Sequence, residues 1–405
     1  MIEKLRRLFK STGVDKGLYA AVVFLAIFGI IMIGDVSVGM STKMGSTYAT
    51  FNMLKQLLFV FLGSGAMIFF ARTFKTRYIN DRRMSVFYII VLIMMVMCLG
   101  WTINNSHAWI KLGPFTIQPA EFMKIVLILL LSFHFGDLPY RFKITRRMSR
   151  ATRERLGNRK LLYCVGLPFL AIGVAFVVCA AIQKDLGSGL IIGFISLTLF
   201  LAAPAKYFSK LKKIILIGLI TVIVLFFLLG GQLLSHQMAR FASWLNPLSD
   251  IYGSNYQILN GLVAFSNGGL IGLGFGKSIM KFGYIPEAQN DYIASIIVEE
   301  LGLIGFAMIL IPYTIIIIKL FRYALKVKSP VDKLILIGIA TYFFAHLFVN
   351  LGGISGLIPM TGVPLLLVSA GGSSTWMAML SIGIAQAIIA RYNRDTLQGE
   401  IEEAQ

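Results

Sequence analysis

Apolar and polar positions along this chain come in long blocks, not at the short periods of an amphipathic helix or strand. Runs of about 20 apolar residues, enough at 1.5 Å per residue to cross a bilayer's hydrocarbon, fall near residues 17–38, 54–72, 84–101, 119–136 and 161–182. Others follow near 186–204, 213–231, 292–318, 334–352 and 374–391. The pattern predicts an all-α polytopic membrane protein, ten transmembrane helices in one integral domain over residues 1–405. Two connections are long: a basic loop at 137–160, and a segment at 232–291 between the seventh and eighth spans. The second mixes helix-like pieces, Gly-rich turns and aromatics with little charge, which predicts a folded element lying against the membrane.

Composition supports the membrane class, with 57% hydrophobic and 14% charged residues and a mean hydropathy of +0.79. A net charge of +20 would suggest nucleic acid if it formed a patch on a soluble fold. Here the basic residues occupy alternate loops, so they report topology, and no nucleic-acid partner is expected. Lys4 to Lys16, Arg72 to Arg83, Arg141 to Lys160, Lys206 to Lys213 and Lys319 to Lys333 share one side. The positive-inside rule makes that side cytoplasmic, with both termini, and turns the 232–291 segment outward. No small-residue cleavage site follows the first run, which is therefore expected to be a retained span. Cys98, Cys164 and Cys179 lie within apolar runs and are expected to be packing residues.

Candidate chemistry collects on the outward side. "IPEAQNDYIASIIVEELGLIG", Ile285 to Gly305, holds Glu287, Asp291, Glu299 and Glu300 at the mouth of and inside the eighth span. Alone, Asp291 would be a helix N-cap. Glu299 lies roughly 12 Å deeper and about 80° around the helix, and acids inside a span are costly enough to mark a functional site by default. "HAWIKLGPFTIQPAEFMKI" carries Trp109, an interfacial aromatic, and Glu121, whose place in a first helical turn with Lys124 three residues on also suits an ion pair. The tight hairpin "IQKDLGSG" makes Asp185 an N-cap first and a site residue second. The Gly/Pro/Ser-rich segment Gly352 to Trp376, with Ser373, is expected to line a cavity, because irregular backbone at membrane depth needs one. Arg240, Lys277 and Lys281 supply outward cations. "GLGFGKS" lacks the first glycine of a Walker loop, and no zinc-protease or Gly-x-Ser-x-Gly pattern occurs. The inventory suits an anionic, lipid-linked substrate.

These motifs, with "RFASWLNPLSDIYGSNYQ" and "LIPMTGVPLLLVSAGGSS", resemble in order and spacing the signatures of the FtsW/RodA family, the SEDS proteins, from the first span to the last. The resemblance implies an enzyme of the bacterial cytoplasmic membrane, a glycosyltransferase that polymerises peptidoglycan strands from lipid II. It also implies a class B penicillin-binding protein as crosslinking partner, among other divisome or elongasome membrane proteins. It puts the essential acid on Asp291, further functional positions on Trp109, Glu121 and Glu299, and loop basic positions on Arg240 and Lys281. Gln289-Asn290 depart from the commoner His-Thr, and Leu366, Leu367, Val368 and Ala370 depart around Ser369. "PEAQND" and "EELGLIG" look more like the division branch than the rod-elongation branch.

On this reading Asp291 is the general base toward the acceptor sugar hydroxyl. Arg240, Lys277 and Lys281 offset charge on the departing diphosphate, with a place left for a divalent cation, Mg or Mn. One base and direct displacement give inversion, and no nucleotide cofactor is needed. Glu121, Asp185, Glu299 and Ser373 support the site. The competing classes are a lipid II flippase, which should carry polar groups through the bilayer midplane, and a non-catalytic scaffold.

Overall fold

The computed structural model describes residues 13–102, 106–113, 115–142, 148–229, 244, 255–286 and 288–404. Arg240 and Glu287 lie outside the described residues, as does most of the first half of the 232–291 segment.

The apolar runs become helices whose ends are set by local chemistry. Helix α1 (Lys16–Met44) starts at Asp15, whose carboxylate accepts from the Leu18 amide. It is followed by α2 (Tyr48–Thr73), then α3 (Asp81–Met97), capped by Asn80. A small antiparallel hairpin, β1 (Ile110–Leu112) and β2 (Phe115–Ile117), pairs Ile110 with Ile117. It hands the chain through Gln118 to α4 (Pro119–Gly136), which has proline at its start. After the short α5 (Leu138–Arg141), the next span runs from α6 (Arg150–Leu161) into α7 (Leu167–Val177), with a π-turn on each side of α7. Then come α8 (Leu186–Ala202), α9 (Ser209–Leu229), α10 (Tyr256–Gly268), α11 (Ile293–Lys326), α12 (Pro330–Ile354) and α13 (Gly372–Ala404).

Every expected apolar run falls on helix. Among the described residues, eight helices are long and apolar enough to cross a membrane, or nine if Leu186–Ala202 and Lys206–Gly218, bent by 114°, form one span. The eight helices and the bent pair account for all ten expected runs, the pair being the sixth and seventh, joined by a sharp turn at Ala203–Ala205. The architecture is that of an all-helical, multi-pass membrane protein.

Burial divides the bundle into inner and outer helices. The apolar window of α13 is 89% buried within the protein and those of α4 and α12 are each 78% buried, whereas α2 is 17% buried. The inner helices must therefore satisfy their polar groups with one another, while α2 offers Leu57, Phe61 and Phe69 to lipid. Helix α11 is broken: Gly302 has φ 59° and ψ −147° inside an otherwise helical run. That conformation is open to glycine alone without strain, and the break positions the loop described next.

Candidate active site

Asp291 sits where the outward segment turns into α11. Tyr292 occupies the N-cap position and the helix begins at Ile293, so Asp291 stands one residue ahead of the cap, half-buried. Its backbone is fixed from α12: the buried Asn350 amide donates to the carbonyls of both Asp291 and Val363, each at 2.8 Å. This draws the irregular segment after α12 against the start of α11. Gly362, at φ 69°, faces the acid with no side chain; a Cβ there would lie 3.7 Å from one carboxylate oxygen of Asp291. The neighbouring Thr361 hydroxyl is buried without a hydrogen-bond partner.

The α8 hairpin closes in from the other side. A Cβ on Gly187 would lie 2.9 Å from the Thr361 carbonyl and 2.6 Å from a Val363 methyl, so only glycine allows this approach. Asp185 caps α8 through the Ser188 amide at 2.9 Å, and its second oxygen accepts from the Gln118 side chain at 2.8 Å. The Gln118 amide in turn donates to the Ser373 hydroxyl at 3.1 Å. Asp185 and Ser373, far apart in sequence, thus meet at Gln118, next to the segment that faces Asp291. Gln118, Asn350 and Thr361 were not singled out from the sequence. Gln118 had a signal in the quoted "TIQPAEF", whereas a lone Asn in "FVNLGG" gives none.

Other expected site residues are placed differently. Trp109 precedes β1 and is half-buried. Glu121 makes the ion pair that its spacing to Lys124 suits, and is withdrawn from the outward surface: it is 0% exposed and accepts from Lys124 at 2.6 Å and Tyr342 at 2.9 Å. His346 lies 3.1 Å from Lys124 through Nε2 and 3.0 Å from the Pro364 carbonyl through Nδ1. The ammonium can only donate, which assigns Nδ1–H to Pro364. This closed cluster props the segment that carries Gly362.

Glu299 and Glu300 are fully buried and bind the Gly-rich loop 270–281. Glu299 accepts from Asn267 at 3.0 Å, the Met280 amide at 3.2 Å and the Ser278 hydroxyl. Glu300 accepts from the amides of Gly276 at 3.0 Å and Ser278 at 3.1 Å. Lys281, expected as an outward cation, is 2% exposed and pairs with Glu300 at 2.7 Å and Asp35 at 2.9 Å. A diphosphate could reach it only by displacing two carboxylates. Lys277 is exposed on the same loop. The loop seats on the α11 break: Leu273 and Gly274 donate to the carbonyls of Glu299 and Glu300, each at 2.9 Å, and Leu303 donates to Leu270 at 3.1 Å.

The departures from the family pattern form a buried turn. Leu366, Leu367 and Val368 are 0% exposed, Tyr313 donates to the Leu366 carbonyl at 2.7 Å, and the Ala370 amide donates to the Gln289 carbonyl at 2.9 Å. No three His, Cys, Asp or Glu side chains converge as a metal site among the described residues.

The chain matches the model of the cell cycle protein family that groups FtsW, RodA and SpoVE over residues 16–394. It is 31% identical over 388 residues to the probable peptidoglycan glycosyltransferase FtsW of Bacillus subtilis (strain 168), covering 94% of this chain and 91% of that protein. It is 31% identical over 392 residues to the stage V sporulation protein E of the same organism, covering 95% and 99%. Among solved structures, a chain from a study of how a peptidoglycan synthase complex coordinates polymerization and crosslinking superposes with TM-score 0.68 at 23% identity, covering 93% of this chain and 98% of that one. The rod shape determining protein RodA of Thermus thermophilus superposes with TM-score 0.62 at 21% identity, covering 93% and 96%. With the fold, the helix order and the match over nearly its whole length in agreement, the chain belongs to the FtsW/RodA/SpoVE family.

Proposed function

We propose that this protein is a peptidoglycan glycosyltransferase that polymerises lipid II at the outer face of the cytoplasmic membrane, in the service of cell division. The observation that carries the reading is Asp291, a half-buried carboxylate at the mouth of α11, beside a bare glycine in the irregular segment after α12. The names of relatives covering more than nine-tenths of the chain support it.

In the proposed reaction Asp291 accepts the proton of the acceptor sugar hydroxyl as that oxygen attacks the donor's anomeric carbon. The bond to undecaprenyl diphosphate breaks, and the diphosphate leaves with the electron pair. Gly362 leaves room for the sugar beside the carboxylate, and Asn350 fixes the acid's backbone. Lys277, exposed on the loop, is positioned by type to meet the diphosphate, and Arg240 is assigned the same role from sequence. Lys281 acts indirectly, by holding the loop. A divalent cation would be held by Asp291 and substrate phosphates. One base and direct displacement give inversion.

A class B penicillin-binding protein is the proposed crosslinking partner. The basic loops and both termini are assigned to the cytoplasm by charge. The flippase reading meets a specific obstacle: the buried charges of α4 and α12, Glu121, Lys124 and His346, satisfy one another and are at most 1% exposed, so this cluster is closed to a passing headgroup. The test is purified protein with its partner synthase and lipid II, scored for glycan strands on a gel. Wild-type protein should yield polymer and Asp291→Asn should not. Equal polymer from both would remove the base assignment, and lipid II crossing vesicles without polymer would favour transport. A fluorescently tagged copy should collect at the septum; a lateral-wall distribution would favour elongation.

A further inference from the structure

At the basic end of the bundle, far along α3 and α4 from the Asp291 region, the two helices flank a groove of about 850 Å³. Arg82 and Arg83 enter it from the first turn of α3, Val86 and Phe87 from the next turn, and Phe133 and Arg141 from α4 and α5. Arg141 is already engaged, with Asp137 at 2.5 Å and over the Phe133 ring at 5.4 Å. Asp81, the acid in the wall, is turned to the buried His134, 3.2 Å away. Arg82 and Arg83 are both exposed, and neither makes an ion pair among the described residues; the Arg83 guanidinium donates to the Tyr78 carbonyl, at 3.3 Å.

Two guanidinium groups without carboxylates, at the rim of a concave site, suit a phosphate, which they can grip with paired donors. The apolar side of the groove decides what carries that phosphate. Val86 and Phe87 are 50% and 54% exposed, and the strip continues to Ile90 at 48% and Ile93 at 55%. Residues 86, 90 and 93 share one helix face, so the groove opens onto the lipid-facing surface of α3. A soluble phosphate has no use for that surface, whereas an acyl chain does.

We propose that this groove binds the anionic headgroup of a phospholipid from the leaflet at the basic end. Arg82 and Arg83 hold its phosphate, and one acyl chain lies along Val86, Ile90 and Ile93. Basic pockets between spans on the cytoplasmic side are physically suited to such headgroups. The inference does not depend on the glycosyltransferase reading.

The full-length protein, released from nanodiscs made of phosphatidylglycerol and phosphatidylethanolamine, would be examined by native mass spectrometry for retained lipid. Wild-type protein should keep phosphatidylglycerol in preference to phosphatidylethanolamine. Arg82→Gln/Arg83→Gln should lose that preference by roughly tenfold or more, with its thermal unfolding midpoint in the same nanodiscs unchanged. A control, Arg155→Gln/Arg159→Gln, removes equal charge from exposed positions of α6 and should retain the lipid. The proposal fails if the Arg82/Arg83 variant retains phosphatidylglycerol like wild type, or if the control loses it equally. It also fails if millimolar inorganic phosphate displaces the lipid, since the groove would then be a site for a soluble anion.

Discussion

Asp291 and the pair Glu299–Glu300 lie on one short stretch of chain, yet their surroundings impose opposite roles. Asp291 is half-buried and lies beside Gly362, at the junction of the outward segment and α11. Glu299 and Glu300 are fully buried and are held by amides, a hydroxyl, Asn267 and Lys281. A buried carboxylate is tolerable when donors surround it, and here each of the two accepts three hydrogen bonds from the protein. The comparison teaches that depth in a span is a poor guide to catalysis: the shallowest of these acids is the reactive candidate, and the deeper ones are fastenings.

The sharpest way to break this contrast is Asp291→Asn. Polymerisation should fall by about 10² to 10⁴, the usual worth of a positioned base, while thermal unfolding stays within a degree or two of wild type. If the melting midpoint drops as far as the activity would suggest, Asp291 is a fastening as well. Lys281→Met should do the reverse. It strands Asp35 and Glu300, and losing one partner of a buried charge cluster costs about 3–5 kcal/mol, readable as a large drop in unfolding temperature. Normal stability in that variant would mean that the loop is not held by this knot.

Gly272→Ala probes the same knot through the backbone. Gly272 has φ 86°, and a Cβ would lie 2.2 Å from the Glu300 carbonyl oxygen. A loss of about 1–3 kcal/mol is expected, with faster proteolysis of the 270–281 loop as a second readout. The smallest effect belongs to the opposite end. Asp15 caps α1 and bonds Lys319 at 2.7 Å and Tyr323 at 3.1 Å. Burial pushes its carboxyl up, but the hydrogen bonds from Lys319 and the Leu18 amide prevail and hold it below the usual carboxylate range. A lowered folded-state pKa means that the contribution is complete above about pH 4 and is lost as pH falls through the folded value. Asp15→Ala should cost about 1 kcal/mol at neutral pH, and the gap to wild type should close in an acid titration.

Much of this was legible in the chain because it is local. Hydropathy located the helices, and "IQKDLGSG" identified Asp185 as a cap, which its bond to the Ser188 amide bears out. What could not be read was distant pairing. Asp35 and Lys281 are 246 positions apart, and nothing in either neighbourhood announces the other. The roles of Glu299 and Glu300 depended on a break at Gly302 that looks, in "EELGLIG", like an ordinary glycine in a helix. Glu121 read as an outward acid because its partners Tyr342 and His346 come from a helix more than 200 residues later. Hydropathy marked the sixth and seventh runs but not the 114° bend between them at Ala203–Ala205, because apolar length carries no direction.

The break in α11 also bears on how the protein is made. The loop at 270–281 leaves the ribosome before the carboxylates and carbonyls of residues 299 and 300 that it needs. At 5–20 residues per second, the thirty residues from Gly272 to Gly302 take about 2–6 s. Until residues 299 and 300 are made, the loop amides lack those acceptors, and Asp35 on the first helix is the one carboxylate of the knot already synthesised. The Lys281–Asp35 pair needs no residue of α11, so this half of the knot joins the loop to the first helix independently of the break that completes it.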